Sequence, residues 1–536
     1  MDAEWASGLL DDIVALEPTP GVASLQEPPL PVGRDFLPAF IRRCFGRLEP
    51  QERIRVGRWA ARLQGRLTLN TACSGTELPL LVFRALAQVV TVDFQVPLLV
   101  CSGFASEIDK DKQRFIQAVF PETPRLYNDA KRLGADRNFD IIAGRDTPVP
   151  QGDVLVAGFP CTDASALNHN SQSRRNRSCV SRGDLRTGAV YNGLMQYVQH
   201  RAGNMSFAVF ENVTTLSLHP RGSTGTPSGP SNMQVCVAQL RNLGWHCKAI
   251  KLCPTMFGVP QQRRRLYFPA FALRRLGSGL GGDTVDNLLA QAMARFVGSE
   301  RLSLEAYLLD EQDPIVLQEY ARLRLAAEIK TATASMSSRP SATPPVKRKW
   351  VDVCTRNMMS CPDSEWWLHY RPDEGTMLDL PGLLAITDRE WEVLRHHRIA
   401  VPELPGAAPR SVDVSQDPKR TRAYDGEVAC LTPKGRVYLP HRHRFLLGLE
   451  ALRLQNVWYS ASQESCVLEQ FPQAFQYNLA GNAMEGCCLA AVILSCVCVI
   501  SSQEEATAPL ALPDAVAVAS DSDDGLDDPL RSIWMP

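Results

Sequence analysis

The sequence predicts an α/β protein built on a doubly wound, mostly parallel sheet, with a smaller irregular domain attached. Three observations predict it. Between about residues 66 and 270, short apolar runs alternate with helix-like stretches, the βαβ signature of a sheet covered on both faces. The run Asp153-Val-Leu-Val-Ala-Gly-Phe159 is apolar without alternation, as a strand buried on both faces must be. By contrast, residues 350 to about 435 hold Trp366-Trp367 and His396-His397 but few regular patterns, so a small irregular domain is expected there.

In chain order, prolines such as those in Glu27-Pro-Pro-Leu-Pro31 predict an extended arm that leads into a first helix near Phe36 to Leu48. Strands are expected at Leu67–Asn70, Pro97–Cys101, Asp153–Phe159, Phe207–Phe210 and Leu266–Phe268, with helices between them. A helix over Leu302–Ile329 is expected to run into a linker at Thr331–Pro345, rich in Ser, Thr, Ala and Pro and followed by Lys347-Arg-Lys349. A final helical pair is expected at Phe445–Val457 and Asn482–Ile500. The segment Cys487–Ile500 is too short to span a bilayer and reads as a core helix. The last residues, around Asp521-Ser-Asp-Asp-Gly-Leu-Asp-Asp528, are acidic and are expected to be disordered.

With 536 residues and 45% hydrophobic composition, the chain can bury one large core or two to three domains. A formal net charge of −1 announces neither nucleic acid nor membrane, but the acidic tail makes the body more basic than that total. Of the 57 basic side chains 47 are arginine, the residue that grips phosphate and base edges in a fork. The 16 cysteines show no pair of CxxC knuckles and no His at ligand spacing, so no metal is expected. No secretory signal is legible, and free thiols in a reducing, intracellular compartment are the simplest expectation.

Chemistry concentrates at four points. Pro160-Cys161 ends the run at Asp153, so a thiol is delivered to the carboxyl end of a strand, where open α/β sheets bind ligands. Such a thiol can act as a nucleophile when its pKa is lowered. Glu211-Asn-Val213 follows the strand at Phe207. Gly258-Val-Pro-Gln261-Gln-Arg263-Arg-Arg265 precedes the strand at Leu266, and Ala480-Gly-Asn482 opens the last apolar helix. In this order the motifs resemble the C5-cytosine-specific DNA methyltransferase family, which uses S-adenosyl-L-methionine. The resemblance covers roughly residues 66–270 and 440–500, and the segment between fits the family's target-recognition domain by position.

The resemblance implies a Rossmann-like methyltransferase fold divided into an N-terminal arm (1–55), a catalytic lobe (56–270), a linker and target-recognition domain (271–440), a return to the catalytic lobe (441–500) and an acidic tail (501–536). It implies Cys161 as the nucleophile at C6 of cytosine and Glu211 as the acid that meets charge at N3. Arg265 is implied at O2 of a flipped base, with Arg263 in support. On the cofactor side it implies Gly75 in the turn Asn70-Thr-Ala-Cys-Ser-Gly-Thr-Glu77, Glu107 at the ribose, Asp129 at the adenine, Pro160, and Asn482 packing back beside the first strand. The turn departs from the family pattern at Thr71 and Cys73, and the nucleophile's surroundings depart at Thr162 and Ala164, while Ser165 matches.

The loop Asn168–Arg186 carries Arg174, Arg175, Arg177, Arg182 and Arg186 and is expected to be a mobile lid that closes on a phosphate backbone. Arg444, Glu450, Leu454 and Gln455 resemble the motif that organises the recognition domain. The implied partner is DNA, with RNA open, and the nucleus is the expected location. Two other functions stay open at this point: cytosine-5 methylation of transfer RNA, and a catalytically weak paralogue that binds nucleic acid.

Overall fold

The structure, a computed structural model, describes residues 13–14, 30–73, 75–168, 170–171, 173–201, 203–221, 226–276, 280–336, 379–397, 409–417 and 421–504. Lys347-Arg-Lys349, Trp366-Trp367, most of the arm before residue 30 and the acidic tail lie outside these residues.

In chain order the first twelve strands are β1 (Ile13–Val14), β2 (Arg66–Ala72), β3 (Leu99–Ser106), β4 (Leu126–Tyr127), β5 (Arg137–Asp140), β6 (Arg145–Pro148), β7 (Val154–Gly158), β8 (Phe207–Val213), β9 (Trp245–Cys247), β10 (Ala249–Leu252), β11 (Gln261–Gln262) and β12 (Arg265–Ala272). All but β11 join one eleven-stranded sheet in the order β1-β10-β12-β8-β7-β2-β3-β4-β5-β6, with β9 also on β12. The central strands β8, β7, β2, β3 and β4 are parallel, whereas β12 runs antiparallel to β8. From β2 the chain steps outward through β3 and β4, then returns to the opposite side of β2 as β7 and β8. The order therefore reverses between β2 and β7, and a crevice opens there beyond the strand carboxyl ends.

Period-2 alternation decides what covers each face. Val154 and Val156 of β7, with Phe207 and Val209 of β8, join the larger core cluster, while Leu155, Ala157, Ala208 and Phe210 join the second. The larger core takes α1 (Phe36–Gly46), α2 (Pro50–Arg62), α3 (Leu78–Phe94) and α4 (Lys110–Val119), plus several later helices. On the other face lie the short α5 (Arg174–Arg177) and α6 (Cys179–Arg182), then α7 (Leu185–Arg201) and α8 (Asn232–Asn242). Among these later helices are α9 (Gly282–Phe296) and the last helix among the described residues.

A 3-10 turn at Leu304–Tyr307 precedes α10 (Pro314–Met336). The helix expected over Leu302–Ile329 thus starts later, at Pro314, and continues to Met336 through residues expected to be linker. Proline at a first helical position and the Ala, Thr and Ser that follow Ile329 permit this. The smaller lobe holds α11 (Asp388–His396), β13 (Arg410–Asp413), β14 (Ala423–Asp425), β15 (Val428–Ala429), β16 (Val437–Leu439) and β17 (Arg444–Phe445). Its four-stranded sheet, β14-β13-β16-β17, packs Leu383, Trp391, Leu394, Val412 and Tyr438 into a small core. The two lobes join through β11 and β15, parallel with Gln261 opposite Val428 and Gln262 opposite Ala429.

The chain returns as α12 (Gly448–Arg453), α13 (Ala461–Gln470), α14 (Gln473–Asn482) and α15 (Gly486–Ser501). Arg444 is buried between the Glu450 carboxylate, 2.8 Å away, and Glu311 at 2.9 Å, so the motif expected to organise the recognition domain ties three segments by charge. The stretch Gln473–Ser501 is long and apolar enough to cross a membrane, yet 94% of its most apolar window is buried inside the protein. A break at Ala483–Glu485 splits it, and the Glu485 carboxylate caps α15 through the amides of Cys487 and Cys488, both at 2.9 Å. Asn482 therefore closes α14 and does not open the last helix.

Gly481 marks how tightly this return is docked, since a Cβ there would lie 2.4 Å from Pro433 N and Thr432 C. Gly481→Ala is expected to lower the unfolding free energy by about 2 kcal/mol, the usual cost of overpacking against backbone. Equilibrium denaturation measures it, and an unchanged midpoint would show that the two segments separate freely.

Candidate active site at the strand carboxyl ends

The crevice between β2 and β7 is a cleft lined by Ala72, Thr76, Pro79, Gly158, Asn482 and Met484 among others. The turn above β2 carries three left-handed residues, Cys73 (φ +54°), Gly75 (φ +53°) and Glu77 (φ +52°). Cys73, standing where a glycine is usual, keeps the conformation glycine favours at a cost of about 1 kcal/mol. Glu107 follows β3 directly and is buried. Its Oε2 accepts the Gly75 amide at 3.2 Å, and its Oε1 accepts the amides of Ile108 (2.8 Å) and Asp109 (3.0 Å). Asp129 follows β4 and accepts from the Lys131 amide at 3.0 Å. Beside it, Oδ1 of Asn128 is buried without a hydrogen-bond partner. Asn482 is exposed at the cleft and donates to the Asn478 carbonyl at 2.8 Å.

On the β7 and β8 side, Pro160 and Cys161 leave the sheet two residues after Gly158, which pairs with Glu211 across the two strands. β8 extends to Val213, so Glu211 is held within the strand instead of following it. A Cβ on Gly158 would lie 3.5 Å from Glu211 Oε2 and 3.0 Å from Met484, which places the carboxyl over the strand end beside the cleft. Arg265, first residue of β12, approaches from the antiparallel neighbour, its Nε 3.1 Å from Glu211 Oε1. Both side chains are largely buried, at 14% and 11% exposure, so solvent screens this pair less than a surface one.

Cys161 is half-buried and within electrostatic reach of Arg265, Glu211 and Arg263. Burial raises its thiol, Arg265 and Arg263 pull it down, and Glu211 opposes them, leaving it above the ordinary value. Burial likewise raises the Glu211 carboxyl, against the lowering effect of Arg265 and Arg263. A carboxyl so placed holds a proton to higher pH than a free one, as a general acid requires.

The loop bearing the thiol is pinned at several points. Asn212 donates to the Phe159 carbonyl at 3.0 Å, and Thr215 to the Ala164 carbonyl at 2.6 Å. The Asp163 carboxylate accepts the Thr187 amide at 2.7 Å, and its carbonyl accepts from Asn176 at 2.8 Å. Thr215, Asp163 and Asn176 were not singled out from sequence, where short polar side chains carry no distinguishing signal, and Asn212 was read only as part of the Glu211 motif. Within the expected lid, the described residues form α5, α6 and the start of α7. Arg174, Arg175, Arg182 and Arg186 are exposed, but Arg177 is buried and donates to the His219 carbonyl at 3.0 Å, so it tethers the loop.

Arg263 differs from Arg265. It is 2% exposed, and it donates to the carbonyls of Leu431 (2.8 Å), Gly481 (3.2 Å) and Ala483. It joins the smaller lobe to the return segment and supports the site by position. Sequence reasoning also missed Cys430, whose Sγ lies 3.5 Å from Arg265 Nη2 and 3.7 Å from Arg263 Nη1. Among the described residues, no group of His, Cys, Asp or Glu could hold a metal ion.

Comparison with known proteins agrees with this architecture. Residues 100–276 match the family model for the C-5 cytosine-specific DNA methylase. The chain is 25% identical over 484 residues to DNA (cytosine-5-)-methyltransferase DMT5 of Verticillium dahliae, covering 82% of this chain and 20% of that protein. It is 25% identical over 438 residues to the DMT5 of Cryptococcus neoformans var. grubii, covering 79% and 16%. Against the type II methyltransferase M.MspI of Moraxella sp. it is 26% identical over 132 residues, covering 25% and 27%. The chain thus spans about a fifth or less of the fungal relatives' length. The thiol, carboxyl and guanidinium all fall within residues 100–276, the stretch in which the chain is similar to the C-5 cytosine-specific DNA methylase family.

Proposed function

We propose that the protein transfers a methyl group from S-adenosyl-L-methionine to C5 of cytosine in DNA through a covalent adduct at Cys161. The observation that carries this reading is the convergence of Cys161, Glu211 and Arg265, from three adjacent strands, beside the β2/β7 cleft. Relatives named as DNA (cytosine-5-)-methyltransferases support DNA as the substrate.

The residues that follow β2, β3 and β4 fit the cofactor. Glu107 offers carboxylate lone pairs to a ribose diol, Gly75 leaves room above the turn, and the unpartnered Asn128 Oδ1 suits an adenine amino group, with Asp129 beside it. Asn482 lines the β2/β7 cleft, and Pro160 follows two residues after Gly158, another of its lining residues. When bound, the cofactor supplies an electrophilic methyl. The protein's task is to make C5 a nucleophile. The Cys161 thiolate adds to C6, the C5–C6 double bond opens, and Glu211 donates a proton at N3 as charge develops there. Arg265 faces O2 and compensates its growing electron density. After methylation at C5, water takes the C5 proton, the Cys161 thiolate is expelled and N3 returns its proton to Glu211, which restores the double bond and the acid. A base inside a duplex cannot reach a side chain at this depth, so the cytosine is flipped out of the stack.

The test uses DNA containing 5-fluorocytosine, in which fluorine replaces the proton that must leave. The expected result is a denaturant-stable adduct that forms only with cofactor. Folded protein that binds cofactor yet yields no adduct would sink the reading, and labelled methyl transfer to transfer RNA but not DNA would redirect it.

A further inference from the structure

The pairing of β11 with β15 delivers Cys430 to the back of the active site, one residue beyond Ala429. All three nitrogens of Arg265 are engaged there. Nε faces Glu211 at 3.1 Å, Nη2 faces the Cys430 sulfur at 3.5 Å, and Nη1 donates to the Arg264 carbonyl at 2.8 Å. Arg263 approaches the same sulfur at 3.7 Å, and Tyr477 of α14 is within its electrostatic reach. We propose that Cys430 is a positioning residue of this site, whose sulfur shares the Arg265 guanidinium with Glu211 and sets how much of that positive charge reaches the carboxyl. The proposal rests on the methyl-transfer reading.

The chemistry poses a conflict that this arrangement resolves. Glu211 must carry a proton to act as an acid, yet a buried guanidinium 3.1 Å away favours the carboxylate. A protonated Glu211 would also leave Arg265 a buried cation without a counter-charge, which is costly. A second anion beside Arg265 removes both difficulties. Cys430 suits that role: burial works to raise its thiol, but Arg265 and Arg263 outweigh burial and hold it below the ordinary value. Cys161 is raised instead. The sulfur whose anion is favoured is thus capped by two guanidiniums, while the other stands beside the cleft.

The first measurement needs no turnover. The ultraviolet thiolate absorbance lost between Cys161→Ser and Cys161→Ser/Cys430→Ser proteins, followed against pH, titrates Cys430 alone. Its midpoint is expected below the roughly 8.5 of an ordinary thiol. Adding Glu211→Gln should move it lower, because the competing anion is gone. A midpoint at or above the ordinary thiol, or one unmoved by Glu211→Gln, overturns the proposal.

The second measurement is the pH profile of kcat. Without the Cys430 anion, Arg265 acts unopposed and lowers Glu211 and Cys161 alike, so in Cys430→Ser the whole bell-shaped profile should move to lower pH. Cys430→Asp should restore it. A profile that loses height without moving indicates a merely structural role and overturns the proposal. Should the wild-type protein methylate nothing, the absorbance titration still decides the sharing of Arg265, so failure of the methyl-transfer reading is told apart from failure of this one.

Discussion

Cys161→Ser is expected to abolish methyl transfer, by on the order of 10³-fold or more, while leaving the fold and cofactor binding intact. Oxygen for sulfur keeps the shape of the side chain, so the turn in which Ala164 and Ser165 donate to the Cys161 carbonyl at 3.0 and 2.8 Å persists. What changes is the nucleophile. Arg265 and Arg263 can draw a thiol toward its anion, against burial and Glu211. The same guanidiniums cannot bring an alcohol, several units less acidic, to a useful anionic fraction. Labelled methyl transfer measures the rate, and 5-fluorocytosine DNA measures adduct formation. The variant should still bind DNA but trap none. A serine variant that traps the substrate, or stays within tenfold of wild type, would mean that another group attacks the base.

The sheet was legible because its strands are buried on both faces, which writes continuous apolar runs such as Asp153–Phe159 into the sequence. Strand ends were less legible. β8 reaches Val213 and β12 starts at Arg265 because pairing, not composition, carries both past their apolar residues, with Arg265 opposite Val213 and Tyr267 opposite Glu211. Cys161, Glu211 and Arg265 were found as motifs that end or precede a strand, and the fold brings them together. Asn482 was placed at the start of a helix because Ala480 to Ile500 reads as one apolar stretch. The Glu485 cap that breaks it depends on Asn456, 2.6 Å away and distant in sequence. Cys430 was unreadable for the same reason, since its partners sit 165 and 167 residues upstream.

Arg263→Met should cost about 3 kcal/mol of stability and, in the molecules that remain folded, weaken cofactor binding. The residue resembles a supporting arginine of the active-site motif, yet its terminal nitrogens donate to Leu431, Gly481 and Ala483 and lie near Cys430. Methionine fills similar length without a donor and strands three buried carbonyls. Each unsatisfied group costs about 1–3 kcal/mol, offset in part because a buried cation no longer needs to be desolvated. Function follows from where the carbonyls lie. Leu431 adjoins Cys430, and Ala483 and Met484 line the cleft, so one guanidinium ties the smaller lobe, the sulfur beside Arg265 and the wall of the proposed cofactor site together. Arg263→Lys, able to reach one or two of these oxygens, should recover part of the stability but not the fixed geometry of a planar fork. Denaturation and cofactor titration on the same preparations decide it. An Arg263→Met protein with unchanged midpoint and unchanged cofactor affinity would show that the β11–β15 pairing alone holds the lobes in register.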